Sequence, residues 1–244
     1  MEQSIGKEYM KQSTCANCGD CARDKKLIPP PLQLPYLPDS MIIKLPEPDM
    51  LADQEINFLE LIELRTSVRQ YHETPLTLAE LSYLLWCTQG VKMAMPQGTS
   101  IRNVPSAGAR HALETYLYIN RVEGVPPGLY RFLALEHALL LVQSGDAVSE
   151  FMVPAFKNQK MVKTCAVTFI WMAVLERMAY AYGQRAYRYM HLDAGHVCQN
   201  LYLAARTINS GVCAIGAFDD ERLNAVLGVD GESQFAIYAA TVGK

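Results

Sequence analysis

The chain has 244 residues, half of them apolar, and a net charge of -3, enough material for one large domain or two small ones and too little basic surplus for bulk nucleic-acid binding. A chain of this size buries roughly 70 to 75% of its unfolded surface, so it needs no disulfide or metal staple. The opening residues lack a signal peptide's apolar core, and the longest apolar stretch, Cys165 to Leu175, is too short to cross a bilayer as a helix. Seven cysteines without framework spacing agree with a reducing compartment, so a soluble cytoplasmic protein with no membrane partner is expected.

Residues 1–50 read as a Cys- and Pro-rich arm in front of a domain spanning 51–244. Cys15, Cys18 and Cys21 match the first three ligands of a ferredoxin-type cluster, but Lys25 stands at the fourth position and no Cys-Pro follows. Tetrahedral zinc would also need a ligand from elsewhere, so no complete local metal site is expected. Seven prolines between Pro29 and Pro48 forbid regular helix and favour extended chain lying over the domain or over a partner.

Ile56 to Leu64 has helical apolar spacing, and Arg65-Thr-Ser-Val-Arg69 lies at its end. If that turn is helical, Arg65 and Arg69 share a face; if it is extended, Arg65, Ser67 and Arg69 all point to one side. Either way three donors converge on an anion such as a phosphate monoester, which the planar guanidinium fork binds two oxygens at a time. The plain alternative is a solvated helix end with unrelated charges.

Thr77-Leu-Ala-Glu80 has the form of a capping box and opens an apolar helix from Leu78 to Gln89. A loop is expected over Gly98 to Gly108. Leu113 to Asn120 alternates as a strand does, and Gly124-Val-Pro-Pro-Gly128 turns the chain into a second strand through Leu129 to Phe132. Ala166 to Val174 reads as a buried central strand, and a long helix should run from Tyr187 to Ile208, ended by Asn209-Ser-Gly211. A short strand from Val212 to Ile215, a helix capped by Asp219 or Asp220 and ending at Leu227, and a strand from Phe235 to Val242 complete the chain. Without the repeating alternation of a doubly wound fold, the mixture points to an α+β sheet with helices on both faces.

Five segments then stand in a recognisable order: RTSVRQY (65–71), NVPSAGARHALETYLYI (103–119), EGVPPGLYRF (123–132), HLDAGHVCQNLYLAA (191–205) and CAIGAFDD (213–220). Together they resemble the nitroreductase superfamily of FMN oxidoreductases, and within it the SagB-type branch that includes azoline oxidases. The resemblance implies a nitroreductase-like fold, a mainly antiparallel central sheet flanked by helices, FMN as cofactor, NADH or NADPH as donor, a small-molecule substrate and a homodimer. It places Arg65, Ser67 and Arg69 on the FMN phosphate. Pro105, Ser106, Ala107 and Gly108 would lie against the ribityl chain or ring, in this family mainly for the other subunit's flavin, with Arg110 supplying positive charge nearby.

The resemblance also sets the Ile215, Gly216 and Ala217 segment with a backbone N–H towards flavin N5. A residue with little side chain lets the backbone approach closely, although an ordinary turn glycine is the alternative. Lys244 would be a phosphate-binding cation or else a frayed terminus, and Asn158 and Gln159 would meet the ring's pyrimidine edge.

Arg177 to His191 interleaves aromatic and basic residues, a pattern shared with single-strand nucleic-acid binders, yet without a wider basic surplus it fits a substrate mouth or dimer seam. Azoline oxidases are thought to use a Lys-Tyr pair in this region; here Ala181 precedes Tyr182, so the tyrosine is retained as a proton-donor candidate and the lysine is not. His196 is the second acid–base candidate, against packing within a helix pair. Asp193 reads as a solvated or capping carboxylate, and Cys87, Cys165, Cys198 and Cys213 as core packing.

Overall fold

Seven antiparallel strands form one sheet in the order β1 (Ile42–Lys44), β6 (Ala138–Ser144), β5 (Gly128–Leu133), β4 (Leu113–Ile119), β7 (Val167–Val174), β9 (Gln234–Gly243), β8 (Gly211–Ile215). This computed structural model describes residues 4–17, 19–48, 57–95, 98–145 and 147–244. Every residue of β4, β5 and β7 is buried, because helices cover both faces, as in sheets whose central strands read as continuous apolar runs. On one face Leu117, Phe169 and Trp171 pack with Leu81 and Leu85 of α3 (Leu78–Gln89) and with Val197 and Leu201 of α7 (Ala186–Thr207). On the other, Tyr118, Ile170 and Met172 pack with Met152 of α4 (Ala147–Ala155) and with Leu223 and Leu227 of α8 (Asp220–Leu227).

Local chemistry sets the helix ends. Thr77 Oγ1 accepts the Glu80 amide at 3.1 Å and Glu80 Oε2 accepts the Thr77 amide at 2.8 Å, closing the expected capping box. Asp219 caps α8, and Gly228 ends it in the left-handed region. α2 (Phe58–Leu64) stops at Arg65, which is extended; Ile56, the expected start of this helix, lies outside the described residues.

Several elements were not foreseen. β2 (Val91–Met95) and β3 (Thr99–Arg102) form a hairpin, so the stretch from Gly98 to Gly108 is only partly loop. This hairpin has Met93 and Ile101 exposed and hence little of the apolar alternation that marks a half-buried strand. β6, α4, α5 (Lys160–Thr164) and α6 (Leu175–Tyr182) were likewise unassigned.

The N-terminal arm is part of the body. Its described part opens with α1 (Ile5–Gln12), runs through the prolines with turns and bends but no regular element, and ends as β1, paired with β6 at one edge of the sheet. Side chains of the domain hold it by its carbonyls. Arg177 Nε donates to Pro31 O at 2.8 Å, Arg131 Nη2 to Leu34 O and Pro35 O at 3.0 Å, and Arg185 Nη1 to Ser13 O at 2.7 Å. The buried pair Arg177–Glu114, 2.6 Å apart, anchors the crossing, and Glu114 also accepts the Leu34 amide at 3.0 Å.

Candidate active site

The RTSVR run adopts the extended alternative and lies beside β8. Ser67 forms a parallel bridge with Val212, and the Val68 amide donates to Val212 O at 2.9 Å. Gly211 permits this approach, since a Cβ there would sit 2.6 Å from Val68 Cβ. Tyr202 of α7 gathers two of the three donors and the end of β8: Arg65 stacks over its ring at 5.4 Å, Ser67 Oγ lies 3.0 Å from its Oη, and the Ala214 amide donates to the same Oη at 2.9 Å. Arg69 Nη1 donates to Ser67 O at 3.4 Å. Among the described residues neither Arg65 nor Arg69 has a carboxylate partner. Two guanidinium groups and a hydroxyl without a counter-charge suit a phosphate.

Beyond Ala214, β8 leads into Ile215, Gly216 and Ala217. The last two are exposed, and their amides have no acceptor among the described residues. Gln159 Nε2 donates to Ala217 O at 2.7 Å and to Phe156 O at 3.0 Å, which brings this residue to the same segment with its carbonyl oxygen left over. A Cβ on Gly216 would meet nothing within 4 Å, so no described residue of this chain requires glycine there. Unpaired amides and an open backbone fit a flavin edge held by N–H donors.

The second cluster surrounds Pro105 to Arg110. Asp193 of α7 accepts the Ala107 amide at 3.3 Å, Ser106 Oγ accepts the His111 amide at 2.9 Å, and Arg110 Nε donates to Arg177 O at 3.1 Å. Gly108 has φ 57°, and a Cβ on it would lie 2.5 Å from Tyr182 Oη, so this loop presses on the Tyr182 hydroxyl. Tyr182 is edge-packed on Tyr189, centroids 4.7 Å apart.

Asp193 corrects the sequence expectation: it is buried, burial raises its carboxyl above the usual range, and its Oδ2 has no partner. The cause is the loop laid over it, which no local pattern announces. His196 is exposed on α7 rather than packed within a helix pair.

The two clusters do not converge within one chain. Asp193 and Tyr202 are nine residues apart on α7, which at 100° per residue places them on opposite faces, roughly 13 Å apart along the axis. Lys244 is not frayed: its Nζ contacts Glu80 Oε1 and donates to Ile208 O at 3.3 Å, so its ammonium braces the end of α7 against the start of α3. Cys15 is exposed and Cys21 is buried, with Sγ donating to Asp24 at 2.9 Å; Cys18 lies outside the described residues. Cys165, Cys198 and Cys213 are buried, burial pushing Cys198 up to about 12, whereas Cys87 is partly exposed in a cleft of about 790 Å³.

Tyr202 was missed although it lies within HLDAGHVCQNLYLAA. Its role depends on pairing with residues more than 130 positions away, which spacing alone does not reveal.

A layered α+β sheet with an uncompensated cationic grip beside an edge strand is suited to hold a phosphorylated ligand. The model of the nitroreductase family matches residues 62–244, and the chain belongs to that family. It is 34% identical over 189 residues, 78% of this chain and 90% of the other, to a protein of Methanocaldococcus jannaschii named as a nitroreductase. A crystal structure from Anabaena variabilis, named likewise, superposes with TM-score 0.70 at 28% identity over 85% of this chain but 42% of that one. Another, from Ralstonia eutropha, gives TM-score 0.69 at 25% identity over 89% and 94%.

Two further matches extend the comparison. The trifolitoxin-processing protein TfxB of Rhizobium leguminosarum is 26% identical over 166 residues, 66% of this chain and 44% of the other. A Desulfovibrio desulfuricans structure in complex with FMN shares the fold, TM-score 0.54 at 16% identity over 78% of this chain and 87% of that one.

Proposed function

We propose that this protein is an FMN-dependent oxidoreductase that acts as a homodimer, taking hydride from NADH or NADPH and passing it to a small organic acceptor in alternating binding steps. The observation that carries this reading is the uncompensated grip of Arg65 and Ser67 on Tyr202 with Arg69 bonded to the Ser67 carbonyl, continued through Ala214 to the free amides of Gly216 and Ala217. FMN, when bound, supplies a ring whose N5 accepts and releases hydride. Arg65, Ser67 and Arg69 neutralise its phosphate, the amides of Gly216 and Ala217 hold one ring edge and the Gln159 carbonyl oxygen another. Lys244, paired with Glu80, supports the grip by bracing α3 against the end of α7.

Pro105, Ser106, Ala107, Gly108 and Arg110 serve the site of a second copy, which the opposite orientation of Asp193 and Tyr202 on α7 supports. So does the apolar surface of α2, where Phe58 and Leu59 are 65% and 64% exposed beside the cleft lined by Trp86 and Leu203. Tyr182 holds the proton exchanged with the substrate, with exposed His196 the second candidate for that task.

Anaerobic mixing of the FMN-loaded protein with NADH or NADPH tests this reading: the flavin's visible absorbance should bleach with at least one of them. Bleaching by neither, with a tightly co-purifying partner, would favour a non-catalytic flavin-holding module. The likeness to TfxB favours a second reading, a peptide-modifying azoline oxidase. Ala181 in the place of the catalytic lysine argues against it.

A further inference from the structure

Resting on the reading of Tyr182 as a residue that faces substrate, we propose that Arg23 of the arm and Arg110 of the loop form a subsite for an oxyanion carried by the substrate, a carboxylate or a phosphate, beside the Tyr182 hydroxyl. The arm delivers Arg23 to this place through the backbone: its amide donates to Tyr180 O at 2.9 Å, and Tyr180 Oη donates back to Leu27 O at 3.0 Å. The Arg23 guanidinium then lies over the Tyr182 ring, 5.9 Å from its centroid, with the side chain 54% exposed. Asp24 Oδ1 lies 3.7 Å from Arg23 Nε while its Oδ2 accepts the Cys21 thiol at 2.9 Å, an exposed pair that leaves the Arg23 terminal nitrogens available.

Arg110 approaches the same turn from the other side, over Tyr180 at 4.8 Å. Its Nε is tied to Arg177 O, and its two terminal nitrogens have no acceptor among the described residues. Burial, and with it the like charge of Arg23, lowers the affinity of Arg110 for its proton. Two guanidinium groups stacked on neighbouring tyrosines, with one exposed carboxylate, Asp24, beside Arg23 and none beside Arg110 among the described residues, leave a positive charge that an entering anion would offset.

That anion is not the FMN phosphate, whose donors stand on the other face of α7. The substrate's own oxyanion would be drawn to the position where the phenol of Tyr182, held against Gly108, meets the reacting group. Arg23 is thereby a specificity-determining residue contributed by a segment outside the part of the chain matched by the family model.

Arg23→Ala and Arg23→Lys in the full-length protein test the subsite. Calorimetric titration with para-nitrobenzoate and with the neutral para-nitrobenzamide would be followed by KM measurements for both acceptors and for NADPH. Loss of one charge-assisted contact should weaken para-nitrobenzoate about tenfold in Arg23→Ala, leave para-nitrobenzamide within about twofold, and be partly recovered in Arg23→Lys. If the oxyanion belongs to the dinucleotide, KM for NADPH rises by that factor with either acceptor, which also supports the subsite. Equal effects on the two acceptors with KM for NADPH unchanged, or no effect on any of the three, would overturn it. Flavin content, read separately, should be the same in all three proteins; absence of flavin from every one would count against the oxidoreductase reading while the calorimetric comparison still decides the subsite.

Discussion

The two ends of α7 support the protein's chemistry in different ways. Near Tyr202 the grip is assembled from sheet backbone and one strip of chain, residues 65 to 71, whose position is fixed by ladder-like hydrogen bonds and by Gly211. Near Asp193 and Tyr182 the loop is held by Asp193 and the Arg177 carbonyl, while α6 and the start of α7 are tied to the N-terminal arm by Arg177 and Arg185, which donate to its carbonyls. Rigid sheet geometry suits a group that stays bound; a surface closed by a separate strap suits one that must leave.

Breaking the arm's anchor should give the largest effect. Glu114→Ala leaves the Arg177 guanidinium buried without its carboxylate and the Leu34 amide without its acceptor. A loss of about 3–5 kcal/mol is expected, read by urea unfolding. A loss under about 1 kcal/mol would mean the arm is not anchored there.

At the opposite end, Gly211→Ala forces Val68 away from β8. It should cost about 1–3 kcal/mol of stability and, more tellingly, weaken FMN retention while the far loop keeps its contacts. Unchanged retention would separate the grip from the sheet.

The smallest effect concerns pH. Burial raises the Asp193 carboxyl above its ordinary value, so the folded protein binds this proton more tightly than the unfolded chain. The destabilisation therefore sets in as pH rises through the ordinary carboxylate value and is complete above the raised one. Asp193→Asn should then gain stability relative to the parent on going from about pH 4 to about pH 7. A stability difference between the two proteins that does not change with pH would show that the carboxyl is not perturbed.

What the sequence disclosed follows the same division. The extended run of Arg65, Ser67 and Arg69 was legible as one of two local geometries because its spacing is local, α3, α7 and the strands β4, β7 and β9 because their apolar patterns are long, and α8 from its aspartate cap. Tyr202 and Asp193 were not, since each acts on a segment far along the chain. The basic and aromatic run from Arg177 to His191 carried its meaning in partners the sequence hides: Arg177, Arg185 and Arg188 hold carbonyl oxygens of the arm, and a carbonyl is the same in every residue. β2 and β3 escaped because the buried positions of β3 are Ser100 and Arg102, polar residues that give no apolar alternation.

The most direct test of the central claim is titration of the purified protein with FMN, followed by quenching of flavin fluorescence, beside a variant carrying Arg65→Ala and Arg69→Ala. Saturable binding by the parent, weakened about a hundredfold or more in the folded variant, is the expected result. Equal affinity in the two proteins, or no binding by the parent, would contradict it.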